Sequence, residues 1–204
     1  SRSLNFWTLD EYKQFIQTME PGTRYYLIFE MLFWTGCRIG ELLAITKADI
    51  NFEKNQLSIN KTYYRTGMQD IITEPKTKQS FRTIEIPEFL KEEIKEFVDG
   101  HYGMPDTERL FPVVQEAVQH KMKRQIELAG VKKIRVHDLR HSHVAYLIEK
   151  GVEPLLIRDR LGHKDIRITL NTYGHLYPNQ QRKIANLLDN ENAVTGLGEE
   201  RDEC

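Results

Sequence analysis

The sequence predicts a mostly helical α+β domain that contains one small, three-stranded antiparallel sheet. Three observations support this fold class. Apolar residues recur at helical spacing in both halves of the chain, whereas residues 57–87 alternate β-branched with polar side chains. A length of 204 residues with 40% apolar content is enough for one packed core. We therefore expect a single domain over residues 1–188, followed by an acidic and mobile tail over residues 189–204.

The predicted helices start with TLDEYKQFIQTM, where Thr8 is a suitable N-cap and Glu11 completes a capping box. The next segment, RYYLIFEMLFWTG, is apolar nearly all round and stops at Gly36, as expected of a central buried helix. Helical patterns then return after the predicted sheet. They cover residues 88–98, 112–129, 137–150, 154–161 and 179–188.

The predicted strands lie between Leu57 and Pro87. They are QLSINKTYY, QDIITE and FRTIEIP, which are rich in β-branched and aromatic residues. A turn at Thr66 and Gly67 separates the first two, and the charged stretch 76–79 separates the last two. We expect these three strands to pair with one another as a single antiparallel sheet.

The charge of the chain is unevenly distributed. A formal net charge of −1 is unusual for a nucleic-acid-binding protein, because such proteins present basic surfaces to phosphates. The tail from residue 189 alone carries a net of −5, which leaves +4 on the rest of the chain. Basic residues concentrate between Gln119 and His143. This charge run indicates either a DNA-binding surface or a solvated helix face. They are Lys121, Lys123, Arg124, Lys132, Lys133, Arg135 and Arg140.

The sequence shows no membrane or secretion signal. It lacks a run of about 18 apolar residues and lacks a charged-then-apolar leader, so we expect neither a membrane span nor a signal peptide. Cys37 and Cys204 lie far apart, which argues against a disulfide framework and fits a reducing, cytoplasmic location.

The segment RVHDLRHSHVAYLI places three histidines and two arginines at the start of a predicted helix. His137 and His141 are one turn apart and could share a zinc ion, but Arg135 and Arg140 disfavour a metal cation there. His143 is expected to pack in the core. His137 and Arg140 are spaced i, i+3 on one helix face, so an imidazole and a guanidinium can converge on a phosphate. We favour the phosphate site.

Four segments together resemble the catalytic domain of the tyrosine recombinases, the family of phage integrases and of conjugative-transposon integrases. They are TGCRIGELLAI, KTKQSFRTIEIP, HDLRHSHVAYLIEKGV and IRDRLGHKDIRITLNTYGH. The resemblance extends from about Phe6 to about Leu188. It implies the fold of that domain, and site-specific cleavage and rejoining of DNA with neither a cofactor nor a metal ion.

The resemblance also assigns roles to individual residues. It implies that Tyr173 is the nucleophile, with Tyr177 as the competing choice four residues later, and that Glu41 and Asp138 are acidic supports. Lys78 lies two residues from the lysine of the catalytic set and is an alternative to it; otherwise it joins the basic residues between 121 and 135 as a DNA contact. The implied catalytic set is Arg38, Lys76, His137, Arg140, His163 and Tyr173.

These residue types suit phosphoryl transfer on chemical grounds as well. A phenol ionises near pH ~10, so cations at the target phosphate must favour the attacking phenolate. Arg38 and Arg140 stay protonated and can bind the non-bridging oxygens. Lys76 can protonate the departing 5′ oxygen. His137 is expected to assist proton transfer at the tyrosine, and His163 to hydrogen-bond a phosphate oxygen.

The resemblance implies a larger assembly. In the family, four protomers recombine two DNA duplexes through a Holliday junction, so we expect a homotetramer on double-stranded DNA in a bacterial cytoplasm, with an excisionase or DNA-bending protein as a possible accessory. We also expect the chain to be a fragment of a longer integrase. A type IB topoisomerase and a non-catalytic DNA-binding module remain as alternatives. The C-terminal helix, with Ile184, Leu187 and Leu188 on one face, is expected to pack into a neighbouring protomer or, alternatively, onto its own domain.

Overall fold

Helices make up most of the fold, which a computed structural model describes for residues 5–74, 80–101, 103–178 and 181–194. The helices are α1 (Leu9–Ile16), α2 (Arg24–Thr35), α3 (Ile39–Ala44), α4 (Glu88–Asp99), α5 (Gln115–Ala129), α6 (Asp138–Glu149), α7 (Pro154–Leu161), α8 (Ile166–Tyr173) and α9 (Gln181–Val194). The strands are β1 (Ile50–Asn51), β2 (Gln56–Ile59), β3 (Thr62–Thr66), β4 (Gln69–Thr73) and β5 (Arg82–Glu85). Within these residues, no helix combines the length and the apolar composition that a bilayer span requires.

The small antiparallel sheet is confirmed, but its three strands are not the three that were predicted to pair with one another. Its strand order is β1–β2–β5, and β3 and β4 form a separate two-stranded hairpin. The segment QLSINKTYY is divided between the two sheets, because Asn60 and Lys61 leave the ladder and bind the carboxylate of Asp49 at 2.8 and 2.5 Å. Strand β1 was not predicted, since two residues are too short to show an alternating pattern.

The helix boundaries follow local capping signals. Thr8 and Glu11 form the predicted capping box, with reciprocal hydrogen bonds of 3.2 and 2.8 Å. Gly36 and Gly162 end α2 and α7 in the left-handed conformation, with φ of 67° at both. Helices α3 and α8, of six and eight residues, were not predicted.

The main core surrounds α2, which is buried from Leu27 to Phe33 as predicted for a central helix. Tyr12 of α1 stacks on Phe33 with ring centroids 3.7 Å apart, and Phe15 meets Phe29 edge to face at 5.0 Å. Helix α2 also packs against α4 and α6. Because α2 is held on several sides, the residues that follow its end at Gly36 have a defined position.

A second apolar cluster forms where α6, α7 and α8 meet. It consists of Val144, Ile148, Ile157, Leu161 and Tyr173. The last of these side chains is the predicted nucleophile, and it is only 2% exposed. The packing of α7 and α8 against α6 therefore decides where its hydroxyl group lies.

Helix α9 runs six residues beyond the predicted boundary at 188 and ends at Val194. The side chains from residue 181 to residue 192 are exposed, and they include Ile184, Leu187 and Leu188 at 50 to 60% exposure. The remainder of the predicted acidic tail, residues 195–204, lies outside the described residues.

Candidate active site

Arg140 lies at the centre of the site and joins three segments of the chain. Its Nη1 donates to the carbonyl oxygen of Gly36 at 2.7 Å, and its Nη2 donates to that of Leu161 at 2.9 Å. The same Nη2 lies 3.0 Å from Nε2 of His163. Burial and the charge of Arg38 lower the pKa of Arg140 to about 10, so the guanidinium remains charged at neutral pH. The ends of α2 and α7 are thus tied to α6 by one cation.

His163 follows directly after α7 and is held on both sides of its ring. Its Nε2 accepts from Arg140, and its Nδ1 lies 2.9 Å from Oγ1 of the buried Thr169. Burial and the charges of Arg140 and Arg38 lower the pKa of His163 to about 4. The imidazole is therefore neutral at pH 7, and in this arrangement it contacts Arg140; the direct contact to phosphate stays a prediction.

Arg38 lies between the end of α2 and the start of α3. Its backbone N–H donates to Oε2 of Glu41 at 2.8 Å, and its Nη1 donates to Oε1 at 3.0 Å. The Arg38 side chain is 44% exposed, whereas Glu41 is 5% exposed. Glu41 thus holds the backbone and the guanidinium of Arg38 from the buried side, while part of the arginine faces solvent, where a phosphate can approach.

Glu41 has a second cationic partner that the sequence did not indicate. Arg82 of β5 is buried and donates from Nη1 and Nη2 to the two carboxylate oxygens at 3.1 and 2.9 Å. Burial acts to raise the pKa of Glu41, but the bonds and charge of Arg82 and the contacts from Arg38 bring it down to about 2. The carboxylate is ionised at neutral pH, and the sheet thereby supports Arg38.

Tyr173 ends α8 with its hydroxyl group directed at α6. Its Oη lies 2.7 Å from Nδ1 of His141. Burial raises the pKa of Tyr173 to about 12, although the nearby positive charges of Arg140 and Arg38 act to lower it. The free protein therefore holds this tyrosine as a neutral phenol within the electrostatic field of Arg140 and Arg38.

Tyr177, the competing tyrosine, occupies a different environment. Its Oη donates to the carbonyl oxygen of Val152 at 3.3 Å, and its ring packs against the same apolar cluster that holds Tyr173. This geometry gives the Tyr177 ring a packing contact and its hydroxyl group a backbone partner.

His137 precedes α6 and is exposed. Its ring meets that of His141 edge to face, with centroids 5.2 Å apart. The sequence predicts that His137 assists proton transfer at the tyrosine; among the described residues, the hydrogen bond to the Tyr173 hydroxyl is made by His141. His143, the third histidine, is buried as predicted and accepts at Nε2 from Arg160.

Asp138 is buried at the first turn of α6 and is bound by Arg135. The backbone N–H, Nε and Nη2 of Arg135 donate to its carboxylate at 2.8, 3.1 and 2.8 Å. Burial acts to raise the pKa of Asp138, but these contacts lower it below its ordinary value. Its Oδ1 also lies 4.0 Å from Nε2 of His141. The predicted support thus acts at the histidine that contacts Tyr173.

Three of the predicted DNA-binding residues line a groove between α5 and the segment before α6. This groove has a volume of about 600 Å³, and the charged side chains of Lys123, Lys133 and Arg135 line it together with His137. Its floor is apolar and includes Met122. A basic rim over an apolar floor suits a nucleic-acid backbone, whose sugars are less polar than its phosphates.

The other predicted DNA contacts lie apart from the groove. Lys121 and Lys132 lie over the rings of Tyr25 and Phe6, at 5.8 and 5.7 Å from the ring centroids. Arg124 is exposed on α5. Lys76 and Lys78 lie outside the described residues, between β4 and β5. Among the described residues, no three His, Cys, Asp or Glu side chains are grouped so that they could hold a metal ion.

Two contributors to the site, His141 and Arg82, were not assigned from the sequence. His141 directly follows Arg140 and is four residues from His137, and this spacing was considered only for a metal. A phenol partner could have been considered for it. Arg82 is 41 residues from Glu41, and no local pattern connects the two.

The sequence comparisons agree with the geometry. A family model described as the phage integrase family matches residues 5–180. The ICEBs1 integrase of Bacillus subtilis (strain 168) is 32% identical over 202 residues, which cover 92% of this chain and 55% of that protein. A XerC-like tyrosine recombinase of Caldanaerobacter subterraneus is 30% identical over 88% of this chain and 53% of that protein. The chain spans about half the length of these relatives.

Solved structures share the fold. The Tn1549 transposon integrase, determined in complex with a circular intermediate DNA, superimposes with a TM-score of 0.77 at 20% identity. The match covers 94% of this chain and 66% of that one. The XerA recombinase superimposes with a TM-score of 0.69 at 22% identity, over 92% of this chain and 64% of that one. Both matches show that the fold is shared.

Proposed function

Because this chain belongs to the phage integrase family, we propose that it cleaves and rejoins DNA strands through a covalent 3′-phosphotyrosyl intermediate. The expected reaction is site-specific recombination that integrates or excises a mobile element. The observation that carries the proposal is the position of Tyr173, whose side chain is buried and whose Oη lies 2.7 Å from His141 on α6, the helix that also carries Arg140. The positive charges of Arg140 and Arg38 act to lower the pKa of this phenol. Guanidinium groups around a phenol favour its attack on a phosphodiester, because they stabilise both the phenolate and the pentavalent phosphorus.

The two arginines have different roles in binding the phosphate. Arg38 is partly exposed and offers its guanidinium to a non-bridging oxygen, while Glu41 holds it from below. Arg140 is buried, so its charge acts in a region of low dielectric, where it stabilises negative charge more strongly than at the surface. His163 acts through its bond to Arg140, and the exposed His137 donates to another phosphate oxygen.

Lys76 is the proposed general acid for the departing 5′ oxygen, an assignment that rests on the sequence alone. A DNA substrate with a 5′-bridging sulfur needs no proton at its leaving group, so it should restore cleavage to Lys76→Ala. The matched variant Lys78→Ala keeps the proposed acid, so the sulfur substrate should give it no comparable rescue. Rescue of Lys78→Ala and not of Lys76→Ala would move the role to the second lysine.

A suicide DNA substrate tests the proposed function. A nick close to the scissile phosphate lets the 5′-hydroxyl fragment diffuse away, so cleavage accumulates as a protein–DNA adduct that survives denaturation. We expect this adduct without ATP, because the phosphotyrosyl bond retains the energy for rejoining, and we expect EDTA to leave its yield unchanged. Tight DNA binding without an adduct would indicate a non-catalytic module. Plasmid relaxation without exchange between two duplexes would indicate a type IB topoisomerase.

The proposed partners are double-stranded DNA and further copies of this chain. Recombination exchanges strands between two duplexes and needs a homotetramer, in which pairs of active sites act in turn through a Holliday junction. The exposed apolar face of α9 supports assembly, because Ile184, Leu187 and Leu188 are at least half exposed in the single chain. An excisionase or a DNA-bending protein completes the proposed assembly, and no membrane takes part.

A further inference from the structure

The nearest hydrogen-bond partner of the proposed nucleophile is a histidine to which neither the family motif nor the sequence assigns a role. Oη of Tyr173 and Nδ1 of His141 are 2.7 Å apart, the usual distance for an O–H donor and a strong acceptor. The two rings are tilted against each other, with centroids 5.5 Å apart. His141 is part-buried on α6, one turn after the exposed His137. A candidate general base must lie within hydrogen-bond reach of the proton that it abstracts, and His141 meets this requirement.

The far side of the His141 ring faces a carboxylate. Nε2 of His141 lies 4.0 Å from Oδ1 of Asp138, which is 2% exposed and held in its ionised form by Arg135. A carboxylate at this distance favours the tautomer with hydrogen on Nε2, which leaves the lone pair of Nδ1 free to accept from Tyr173. It also stabilises the imidazolium that forms if Nδ1 takes a proton. An acid, a histidine and a hydroxyl nucleophile in this order recur in unrelated hydrolases.

The nucleophile needs such a base. Because burial raises the pKa of Tyr173 to about 12, roughly one molecule in 10⁵ would carry the phenolate at pH 7. Burial and the charges of His137 and Arg140 lower the pKa of His141, so its ring is neutral and able to accept a proton at that pH. The neutral histidine and the neutral phenol therefore face each other in the state that binds DNA.

We infer that His141 is a catalytic residue that accepts the phenolic proton of Tyr173 during strand cleavage. In this step the Oη–H bond breaks and the proton moves to Nδ1, while Oη forms a bond to phosphorus. The bond from phosphorus to the 5′ oxygen breaks, and that oxygen takes a proton from the general acid assigned to Lys76. In rejoining, the 5′ hydroxyl attacks phosphorus and the His141 imidazolium returns its proton to the departing Oη. This inference rests on the proposed function.

The test measures single-turnover adduct formation by the whole chain on two suicide substrates, one ordinary and one with a 5′-bridging sulfur. We expect His141→Gln to slow adduct formation by about 10²-fold or more on both substrates, with DNA affinity within about threefold of wild type. The sulfur substrate bypasses the acid, so it should rescue Lys76→Ala but not His141→Gln. The matched control is His175→Gln, which changes an exposed histidine two residues after Tyr173 and should react at the wild-type rate.

The pH dependence separates a base from a positioning contact. On the sulfur substrate, the wild-type rate should fall up to tenfold for each pH unit below the pKa of His141, because protonated Nδ1 cannot accept. His141→Gln should lose this acid limb. Several titratable or charged groups surround the ring and shape the limb. They are His137, Asp138 and Arg140 from α6, Arg135 from the preceding segment, and Tyr173 from α8.

The results distinguish failure of the role proposed for His141 from failure of the proposed function. A His141→Gln rate within threefold of wild type, rescue by the sulfur substrate, or an unchanged acid limb would overturn the role of His141. Failure of the wild-type chain to form any adduct would instead overturn the proposed function. If His141→Gln does not fold, His141→Asn replaces it, since its amide oxygen lies near the position of Nδ1 but cannot take a proton. If neither variant folds, absence of the wild-type acid limb overturns the inference and its presence supports it.

Discussion

Tyr173 and Tyr177 lie four residues apart but differ in what their hydroxyl groups contact. Tyr173 Oη meets His141 beside the catalytic arginines, and Tyr177 Oη bonds a backbone carbonyl. We expect Tyr173→Phe to abolish the covalent DNA adduct while DNA affinity stays within about threefold of wild type, because the ring still packs but the nucleophilic oxygen is gone. Gel analysis of the denatured adduct measures this. Tyr177→Phe is the matched control, and an adduct formed by Tyr173→Phe but not by Tyr177→Phe would exchange the two roles.

Arg38 and Arg140 should both be required for cleavage, but only one of them should matter for stability. Arg38→Ala and Arg140→Ala are each expected to slow cleavage by about 10²-fold or more, since each guanidinium acts on charge that develops in the transition state. Arg140→Ala also leaves the carbonyl oxygens of Gly36 and Leu161 without their donor in a buried place. It should cost roughly 1–3 kcal/mol of unfolding free energy.

Arg38 is partly exposed, so Arg38→Ala should unfold close to wild type in urea. The two variants therefore serve as controls for each other, with cleavage rate and unfolding free energy measured on both. A loss of DNA affinity that accounts for the whole decrease in rate would reduce either arginine to an ordinary phosphate contact.

At the scale of elements, the junction from α2 to α3 depends on Gly36. Its φ of 67° is unfavourable for other residues, and a Cβ there would lie 2.5 Å from Cδ2 of the buried His143. Gly36→Ala should therefore lower the unfolding free energy by about 2–4 kcal/mol and displace the carbonyl that holds Arg140. Urea denaturation measures the first effect and the cleavage rate the second.

Gly22 provides the matched control for this substitution. It has a φ of 77°, but a Cβ there would meet nothing within 4 Å. Gly22→Ala should cost only about 1–2 kcal/mol, which is the strain of the left-handed backbone alone. Equal losses in the two variants would show that the contact with His143 contributes nothing.

The sheet shows which structural features a local sequence pattern can predict and which it cannot. Alternation correctly predicted strand character around β2, β4 and β5, and the capping box of α1 was confirmed. The pairing was not predictable in the same way, because β2 pairs with β5 across 25 residues, from Ser58 to Thr83. Such a contact is decided by the packing of the faces on the core and leaves no periodic signal in either strand.

At the scale of the whole molecule, α9 presents an exposed apolar face to solvent. A helix of 14 residues with exposed apolar side chains is marginal by itself and gains stability when it docks. We expect deletion of residues 179–204 to leave the melting temperature of the free chain unchanged and to weaken assembly on DNA. Analytical ultracentrifugation with and without DNA measures assembly, and calorimetry measures melting. A fall in melting temperature of several degrees would mean that α9 packs on its own domain.

A pair of point variants separates the apolar face from the rest of the segment. Leu187→Glu places a charge on the face that should be buried between protomers, and Asn186→Glu places the same charge on a neighbouring exposed position. Only Leu187→Glu should weaken assembly, by roughly tenfold or more, because the charge would have to be desolvated at the interface. Equal effects of the two substitutions would indicate that net charge alone is responsible.

The sequence by itself determined the fold class, most helices and the chemical identity of the proposed catalytic set. These features follow from local periodicity, capping residues and motif spacing, all of which involve residues close together along the chain. The family that these motifs resemble is the family to which the chain belongs. The roles assigned to the individual catalytic residues and to the DNA contacts stay predictions.

The tertiary structure alone decided which groups meet. It brought His141 of α6 to Tyr173 across 32 residues, and Arg82 of β5 to Glu41 across 41 residues. No local pattern encodes such contacts, because they depend on how α8 and the sheet pack against the helices that carry the partners. His141 directly follows Arg140, and only the packing of α8 shows that its ring, and not that of His137, makes the hydrogen bond to Tyr173.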